Sequence, residues 1–179
     1  GVIFGRTDTG VLRSKDGGSS WESAFKGTTV TSISTGADGC VYLGTIYSGV
    51  VGSTDDGDTW RRMSDSLQIY SIDADRVGNV FAVISGGILL CSHDGGANWK
   101  TVQLERGYSY GVVAAPGGEV AIVLNSNNGT LYISRDCFSS RTVVPVPFKN
   151  ASMFLSPDGY LFLSERFSPG LHRGRHALY

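Results

Sequence analysis

The chain has 179 residues, 15 Lys and Arg against 16 Asp and Glu, and a net charge of −1. That balance excludes a charge field that steers the chain to nucleic acid or to an anionic membrane, and no apolar run is long enough to span a bilayer. Glycine is abundant at 25 residues and proline scarce at 5, which suits many short strands joined by tight turns.

In chain order, the first predicted elements are the short β-rich runs Val2–Gly5 and Gly10–Leu12. They lead into an octet, Ser14-Lys15-Asp16-Gly17-Gly18-Ser19-Ser20-Trp21. The octet returns as Ser53-Thr54-Asp55-Asp56-Gly57-Asp58-Thr59-Trp60 and as Ser92-His93-Asp94-Gly95-Gly96-Ala97-Asn98-Trp99, with every column spaced by 39 residues. A fourth copy, Ser134-Arg135-Asp136-Cys137-Phe138-Ser139-Ser140-Arg141, follows 42 residues later; it keeps Ser134 and Asp136 and loses the Gly and the Trp. A period near 40 marks a repeat array.

Between octets, Gly-containing turns precede runs rich in β-branched and aromatic residues, as at Asp38–Thr45, Val77–Ile84, Gly117–Leu124 and Asp158–Glu165. Each unit therefore predicts four strands. In the first complete unit these are Val30–Thr35, Cys40–Thr45, Gly49–Thr54 and a fourth beginning at Trp60. The N-terminal piece aligns with the later part of a unit, Val2-Ile3-Phe4-Gly5 lying 39 residues before Val41-Tyr42-Leu43-Gly44. The last unit has strands at Ala151–Ser156 and Gly159–Glu165, then loses its pattern. The expected fold is all-β: a β-propeller of four-stranded antiparallel blades in one domain, 1–179, with a partial blade at 1–29, blades at 30–69, 70–109 and 110–150, and a partial blade at 151–179. Such an array is either a ring of five imperfect blades or a segment of a larger propeller. If open, it exposes apolar faces and self-associates.

The octet has a physical task that needs no ligand. Its Asp accepts hydrogen bonds from a tight loop, its Gly suits a positive φ, and its Trp starts the returning strand with the ring folded back over the loop. Ser14, Asp16, Gly18 and Trp21, Ser53, Asp55, Gly57 and Trp60, Ser92, Asp94, Gly96 and Trp99, and Ser134 and Asp136 are accordingly read as architectural. One aspartate per repeat keeps the carboxylates apart, so no metal or other cofactor is expected. The three cysteines, Cys40, Cys91 and Cys137, occupy unrelated columns and read as small strand or loop residues, with a Cys40–Cys91 bridge as the alternative. Gly1 stands where Met would begin a chain and no signal peptide is recognisable, which reads as a mature or trimmed chain and leaves the compartment unassigned.

The octets resemble Asp boxes, the Ser/Thr-x-Asp-x-Gly-x-Thr/Ser-Trp loops of the bacterial neuraminidase (BNR) repeat family; Ser53–Trp60 fits every position, and Asn98 replaces the hydroxyl residue in the third copy. The resemblance implies the sialidase-like propeller fold and a peripheral place for the boxes. The family includes sialidases, xyloglucan-cleaving glycosidases, sortilin-like receptors and photosystem assembly factors. This chain has no Arg-Ile-Pro segment of the sialidase kind and no second large domain of the kind with which xyloglucanases form a cleft. The resulting expectation is a non-catalytic binding or scaffold module for glycans or for extracytoplasmic proteins, extracytoplasmic or secreted itself. The alternatives are a sialidase-like glycosidase whose remaining parts lie outside this chain, and an assembly factor that uses its propeller surface.

In a propeller, ligands usually meet the face built from the links between units and the second-to-third strand loops, opposite the octets. Those segments hold the candidates Arg6, Asp8, Tyr47, Arg106, Tyr108, Tyr110 and Arg166, where aromatic rings beside charges suit a sugar or a protein hot spot. Glu105 and Glu165 are the candidate acids, because a glycosidase needs two carboxyl groups roughly 5–10 Å apart. His93 sits at a variable octet position and reads as solvated.

Overall fold

The computed structural model describes residues 1–37, 39–65, 68–105, 108–115, 120–125, 129–147, 151–156 and 158–165, and these hold strands and no helix. Strands β1 (Ile3–Thr7), β2 (Gly10–Ser14) and β3 (Glu22–Lys26) form the first sheet. The second comprises β4 (Val30–Thr35), β5 (Val41–Thr45), β6 (Val50–Ser53) and β7 (Arg61–Arg62). The third comprises β8 (Ser71–Ala74), β9 (Val80–Ile84), β10 (Ile88–Ser92) and β11 (Lys100–Gln103). The fourth comprises β12 (Tyr108–Ala114), β13 (Val120–Asn125), β14 (Thr130–Ser134) and β15 (Thr142–Pro145). Strands β16 (Ala151–Leu155) and β17 (Leu161–Glu165) form the fifth. All pairings are antiparallel between chain neighbours, so each sheet is a meander.

The sheets stack as blades. Strand β4 packs beside β1, β8 beside β4, β12 beside β8 and β16 beside β12. Four apolar seams fill the spaces between successive sheets. The first joins Val11 to Val30, Val41, Leu43 and Val51; the second joins Tyr42 and Val50 to Ile72, Val80, Ala82 and Leu90. The third holds Phe81, Leu89 and Cys91 against Val112, Tyr132 and Phe138, and the fourth holds Leu131 and Val146 against Ala151 with Met153 and Leu163. Inner strands are thus covered on both faces, so all five residues of β5 are buried and the run Val-Tyr-Leu has no polar alternation.

The N-terminal sheet corrects the expected alignment. Ile3 pairs with Ser14 as Val41 pairs with Ser53, which matches Phe4, and not Ile3, to Tyr42. The hairpin between Arg6–Val11 is one residue shorter than that between Gly44–Val50, and a one-residue slip moves a side chain to the opposite face. Phe4 accordingly packs into the first seam.

The cysteines also differ from expectation. Cys91 on β10 is bonded to Cys137 in the fourth octet, with Cα atoms 6.0 Å apart, and the Cys40–Cys91 alternative is overturned because Cys40 is free and half-buried. The two bonded residues occupy different columns of the repeat, and become neighbours because stacking sets each octet against the third strand of the preceding sheet.

Candidate functional site

The octets lie at one end of the sheets, between β2 and β3 in the first and between the third and fourth strands in the second, third and fourth. In the first, Ser14 Oγ donates to Asp16 Oδ1 at 2.8 Å and accepts from the Gly18 N–H at 2.8 Å, while Ser20 gives its N–H to Oδ1 at 2.9 Å and its hydroxyl to Oδ2 at 2.6 Å. The second repeats this around Asp55, with Ser53 at 2.7 Å, the Thr59 N–H at 2.8 Å and the Thr59 hydroxyl at 2.6 Å. In the third, the Asn98 side-chain amide takes over from the hydroxyl and donates to Asp94 Oδ2 at 2.8 Å. These bonds hold the Asp16, Asp55, Asp94 and Asp136 carboxyls at a pKa of about 2, against an ordinary 3.8. Groups so acidic stay ionised at neutral pH and are poor proton donors there.

The fourth octet lacks Gly and Trp and folds the same way. Ser134 Oγ donates to Asp136 Oδ1 at 2.9 Å, and Ser140 donates its N–H and hydroxyl to the same carboxylate at 2.8 and 2.7 Å. Two successive positive φ angles define each loop. They fall on Gly17 and Gly18 (73° and 97°), Asp56 and Gly57 (55° and 81°), Gly95 and Gly96 (67° and 85°), and Cys137 and Phe138 (54° and 60°). The last pair adopts the left-handed region against its ordinary preference, with the disulfide at one residue and a buried ring at the other.

The second, third and fourth octets also grip the preceding sheet. The Trp60 indole N–H reaches Ala24 O at 2.9 Å as well as Gly57 O at 3.1 Å, and that of Trp99 reaches Met63 O at 2.8 Å. Gly57 makes room for this packing, since a Cβ there would stand 2.9 Å from the Phe4 ring and 3.1 Å from the Trp60 ring. Arg13, 6% exposed, donates to Glu22 Oε1 at 2.6 Å and to Asp56 O at 2.7 Å, and pairs with Asp58 at 2.8 Å. Arg13 and Cys91 hold the same register position in their sheets, opposite Phe4 and Phe81, and each links to the fourth residue of the following octet. Sequence reading missed both clamps; the one signal was a cysteine or a charge in a column otherwise apolar or glycine.

The opposite rim carries the candidate ligand residues. Asp8 is exposed in the β1–β2 hairpin, Tyr47 is 71% exposed in the β5–β6 loop, and Glu105 is exposed after β11. Tyr108 begins β12 with Tyr110 beyond it, and Glu165 ends β17, paired with Ala151. Arg6, at the end of β1, spends its guanidinium on Val30 O at 3.1 Å and joins two sheets. Arg106 and Arg166 lie outside the described residues. Among the described residues, no bond links any two of Arg6, Asp8, Tyr47 and Glu105. Burial first, and then the Glu105 carboxylate, push the Tyr132 hydroxyl's pKa up.

Two further features escaped the sequence. Asp73, on β8, accepts from Ser34 Oγ at 2.6 Å and from the Ala114 N–H at 2.8 Å, bridging three sheets near the inner strands, and its burial pushes its pKa up. A cleft of about 400 Å³ lies beside the fourth octet, lined by Ile133, Ser134, Arg135, Ser140, Arg141 and Thr142. Arg141 stands where the other octets have Trp, with its guanidinium 5.5 Å from the centre of the Tyr132 ring. Among the described residues, no group of three or more His, Cys, Asp or Glu side chains could hold a metal ion. No helix among them is long and apolar enough to cross a membrane.

No family model and no curated protein matches the sequence. Solved structures do match. A chain of the mitotic checkpoint complex superposes with a TM-score of 0.71 at 15% identity, over 92% of this chain and 53% of that one. The GH74 enzyme of Niastella koreensis superposes at 0.68 and 18% identity, over 90% of this chain and 31% of that one. YCF48 bound to a D1 peptide superposes at 0.60 and 18% identity, over 80% of this chain and 53% of that one. The chain therefore spans between 31% and 53% of the length of these three. At such identities the likeness is one of fold: five antiparallel sheets stacked as blades, in the manner of a β-propeller.

Proposed function

We propose that this chain forms blades of an Asp-box propeller of the BNR type, a single domain over 1–179, that binds a protein or glycan segment on the rim opposite its octets and does not turn it over. The observation that carries the reading is the division between the two rims. On one, the repeated aspartates Asp16, Asp55, Asp94 and Asp136 are consumed by their own loops and held at about pKa 2, which suits architecture. On the other, Tyr47 is 71% exposed, with the exposed carboxylates of Asp8 and Glu105 on the same rim. An aromatic face among carboxylates is chemistry for stacking and hydrogen bonding. Support also comes from relatives in fold that hold partners, YCF48 with its D1 peptide and the checkpoint complex. The Cys91–Cys137 disulfide favours an oxidising, extracytoplasmic setting.

A second reading, a glycosidase, draws on the likeness to GH74 enzymes. The two separate in one experiment: the immobilised chain is screened on peptide and glycan arrays while hydrolysis of fluorogenic sialosides and β-glucans is followed. Binding that falls at least tenfold in Tyr47→Ala and Asp8→Ala, without hydrolysis, is the expected result. Turnover that disappears in Glu105→Gln or Glu165→Gln would replace the binding module with an enzyme.

A further inference from the structure

The register position that holds Arg13 in the first sheet and Cys91 in the third is Gly52 in the second, paired with Tyr42 as Arg13 is with Phe4. A thioether takes the place of the missing clamp. Met63 follows β7 and is fixed at both backbone groups, its N–H donating to Val50 O at 2.8 Å and its carbonyl accepting the Trp99 indole N–H at 2.8 Å. Its half-buried side chain runs across Gly52 to Gly96 of the third octet and joins the second seam beside Trp99. Both glycines are needed to seat it. A Cβ on Gly52 would collide with the Met63 sulfur and methyl, and one on Gly96 would stand 3.0 Å from the sulfur and 3.3 Å from the Trp99 ring.

We propose that Met63 is a site of reversible sulfoxidation by a peroxide, and that its oxidation unfastens the second seam. The sulfur lone pair attacks one peroxide oxygen, so an S–O bond forms as the O–O bond breaks. Sulfur gives up two electrons, and the proton of the transferred oxygen passes to the departing hydroxide, which leaves as water. The product is bulkier and needs a hydrogen-bond donor, and the donors around the sulfur are already engaged. Gly96 gives its N–H to Ser92 Oγ at 2.9 Å, Trp99 gives its indole N–H to Met63 O, and Tyr42 gives its hydroxyl to Gly95 O at 3.4 Å. A sulfoxide oxygen therefore either draws the indole away from Met63 O or turns to solvent and takes its sulfur out of the glycine seat. Both routes undo the Trp99 tie. The chain's other methionine, Met153, belongs to the fourth seam, so the first and third seams do not respond.

The test uses the full chain carrying Met153→Leu, so that Met63 is its sole methionine. The chain is treated with hydrogen peroxide and followed by peptide mass spectrometry and by the indole N–H signals of isotope-labelled protein. Met63 is expected to gain one oxygen, and the Trp99 indole N–H to exchange with water roughly tenfold faster while those of Trp21 and Trp60 hold their rates. Methionine sulfoxide reductase is expected to reverse both changes. In the same background, Met63→Gln is expected to show the fast exchange without peroxide, and Met63→Leu to keep the slow rate before and after it. If Met63→Leu melts early, norleucine in place of methionine serves as the inert isostere. A Met63 that stays unoxidised while free methionine in the same solution is oxidised, or an oxidised Met63 with unchanged Trp99 exchange, overturns the proposal. So does a peroxide effect that persists in Met63→Leu, which would assign it to Cys40, the free half-buried thiol of the same seam.

Discussion

The second and fourth octets hold the same loop with different side chains. Both close on a Ser–Asp pair, with bonds of 2.7 Å from Ser53 to Asp55 and 2.9 Å from Ser134 to Asp136. Both pass through two left-handed residues in succession. They part company in how they hold the sheet before them. The second uses Trp60 on Ala24 O, with its ring 5.3 Å from that of Phe25, and the Arg13 clamp. The fourth replaces these with the Cys91–Cys137 bond and the buried ring of Phe138. Loop closure and seam locking are therefore separable tasks: the Ser and Asp columns serve the first, and the Gly and Trp columns the second.

That separation can be broken in several ways. The largest effect is expected from Cys137→Ser with Cys91→Ser. The bond spans 46 residues, for which chain-entropy reasoning gives about 4 kcal/mol, and chemical denaturation of the oxidised wild type beside the double variant measures it. Trp60→Ala is next, at about 3 kcal/mol, the low end for aromatic truncation because the ring is only half-buried. Phe138→Gly sharpens the contrast, since it relieves a left-handed φ while removing a buried ring; a net loss of about 2 kcal/mol is expected, and a gain would mean that the loop, not the seam, is what Phe138 strains. Acid should act on all four loops together. Their carboxylates titrate at about 2 when folded and near 3.8 otherwise, so their contribution is fully present above pH 4 and fades as pH falls towards 2. Thermal midpoints followed from pH 5 to 2 should drop over that window, and drop less in Asp55→Asn. The smallest effect is expected from Arg141→Ala, within about 1 kcal/mol, because a surface cation over a ring contributes little.

Much of the fold was legible because spacing carries it. The octet columns fix where each third strand ends, and the turn before each second strand fixes where that strand begins; β4 runs over Val30–Thr35 as predicted, and β5 begins at Val41, one residue after the expected Cys40. The first sheet's register was not legible, because a hairpin shortened by one residue shifts the pairing without disturbing the octet spacing. The fourth octet read as decayed because its seam residues changed while its loop residues stayed. Arg13 and the Cys91–Cys137 bond were hidden for the reason that hides most contacts between repeats, namely that partners 43 and 46 residues apart share no local pattern. The rim opposite the octets is legible as topology, through the ends of β1, β11 and β17 and the loop after β5. Its chemistry is not, because each repeat varies those residues independently.

The clamp position has a consequence for how the blades part. Arg13 fastens the outer half of the first seam and Cys91 that of the third, but the corresponding residue of the second sheet is Gly52, opposite Tyr42. There the outer contacts with the next sheet's octet are a 3.4 Å bond from the Tyr42 hydroxyl to Gly95 O and the 2.8 Å bond from the Trp99 indole N–H to Met63 O. Nearer the inner strands the same boundary is well tied, by Ser34 to Asp73 at 2.6 Å and Thr31 to Ile69 O at 2.6 Å. The first four sheets are thus two clamped pairs of leaves joined along a spine, and thermal breathing should spread them from the circumference inward, like a book opened at its middle page.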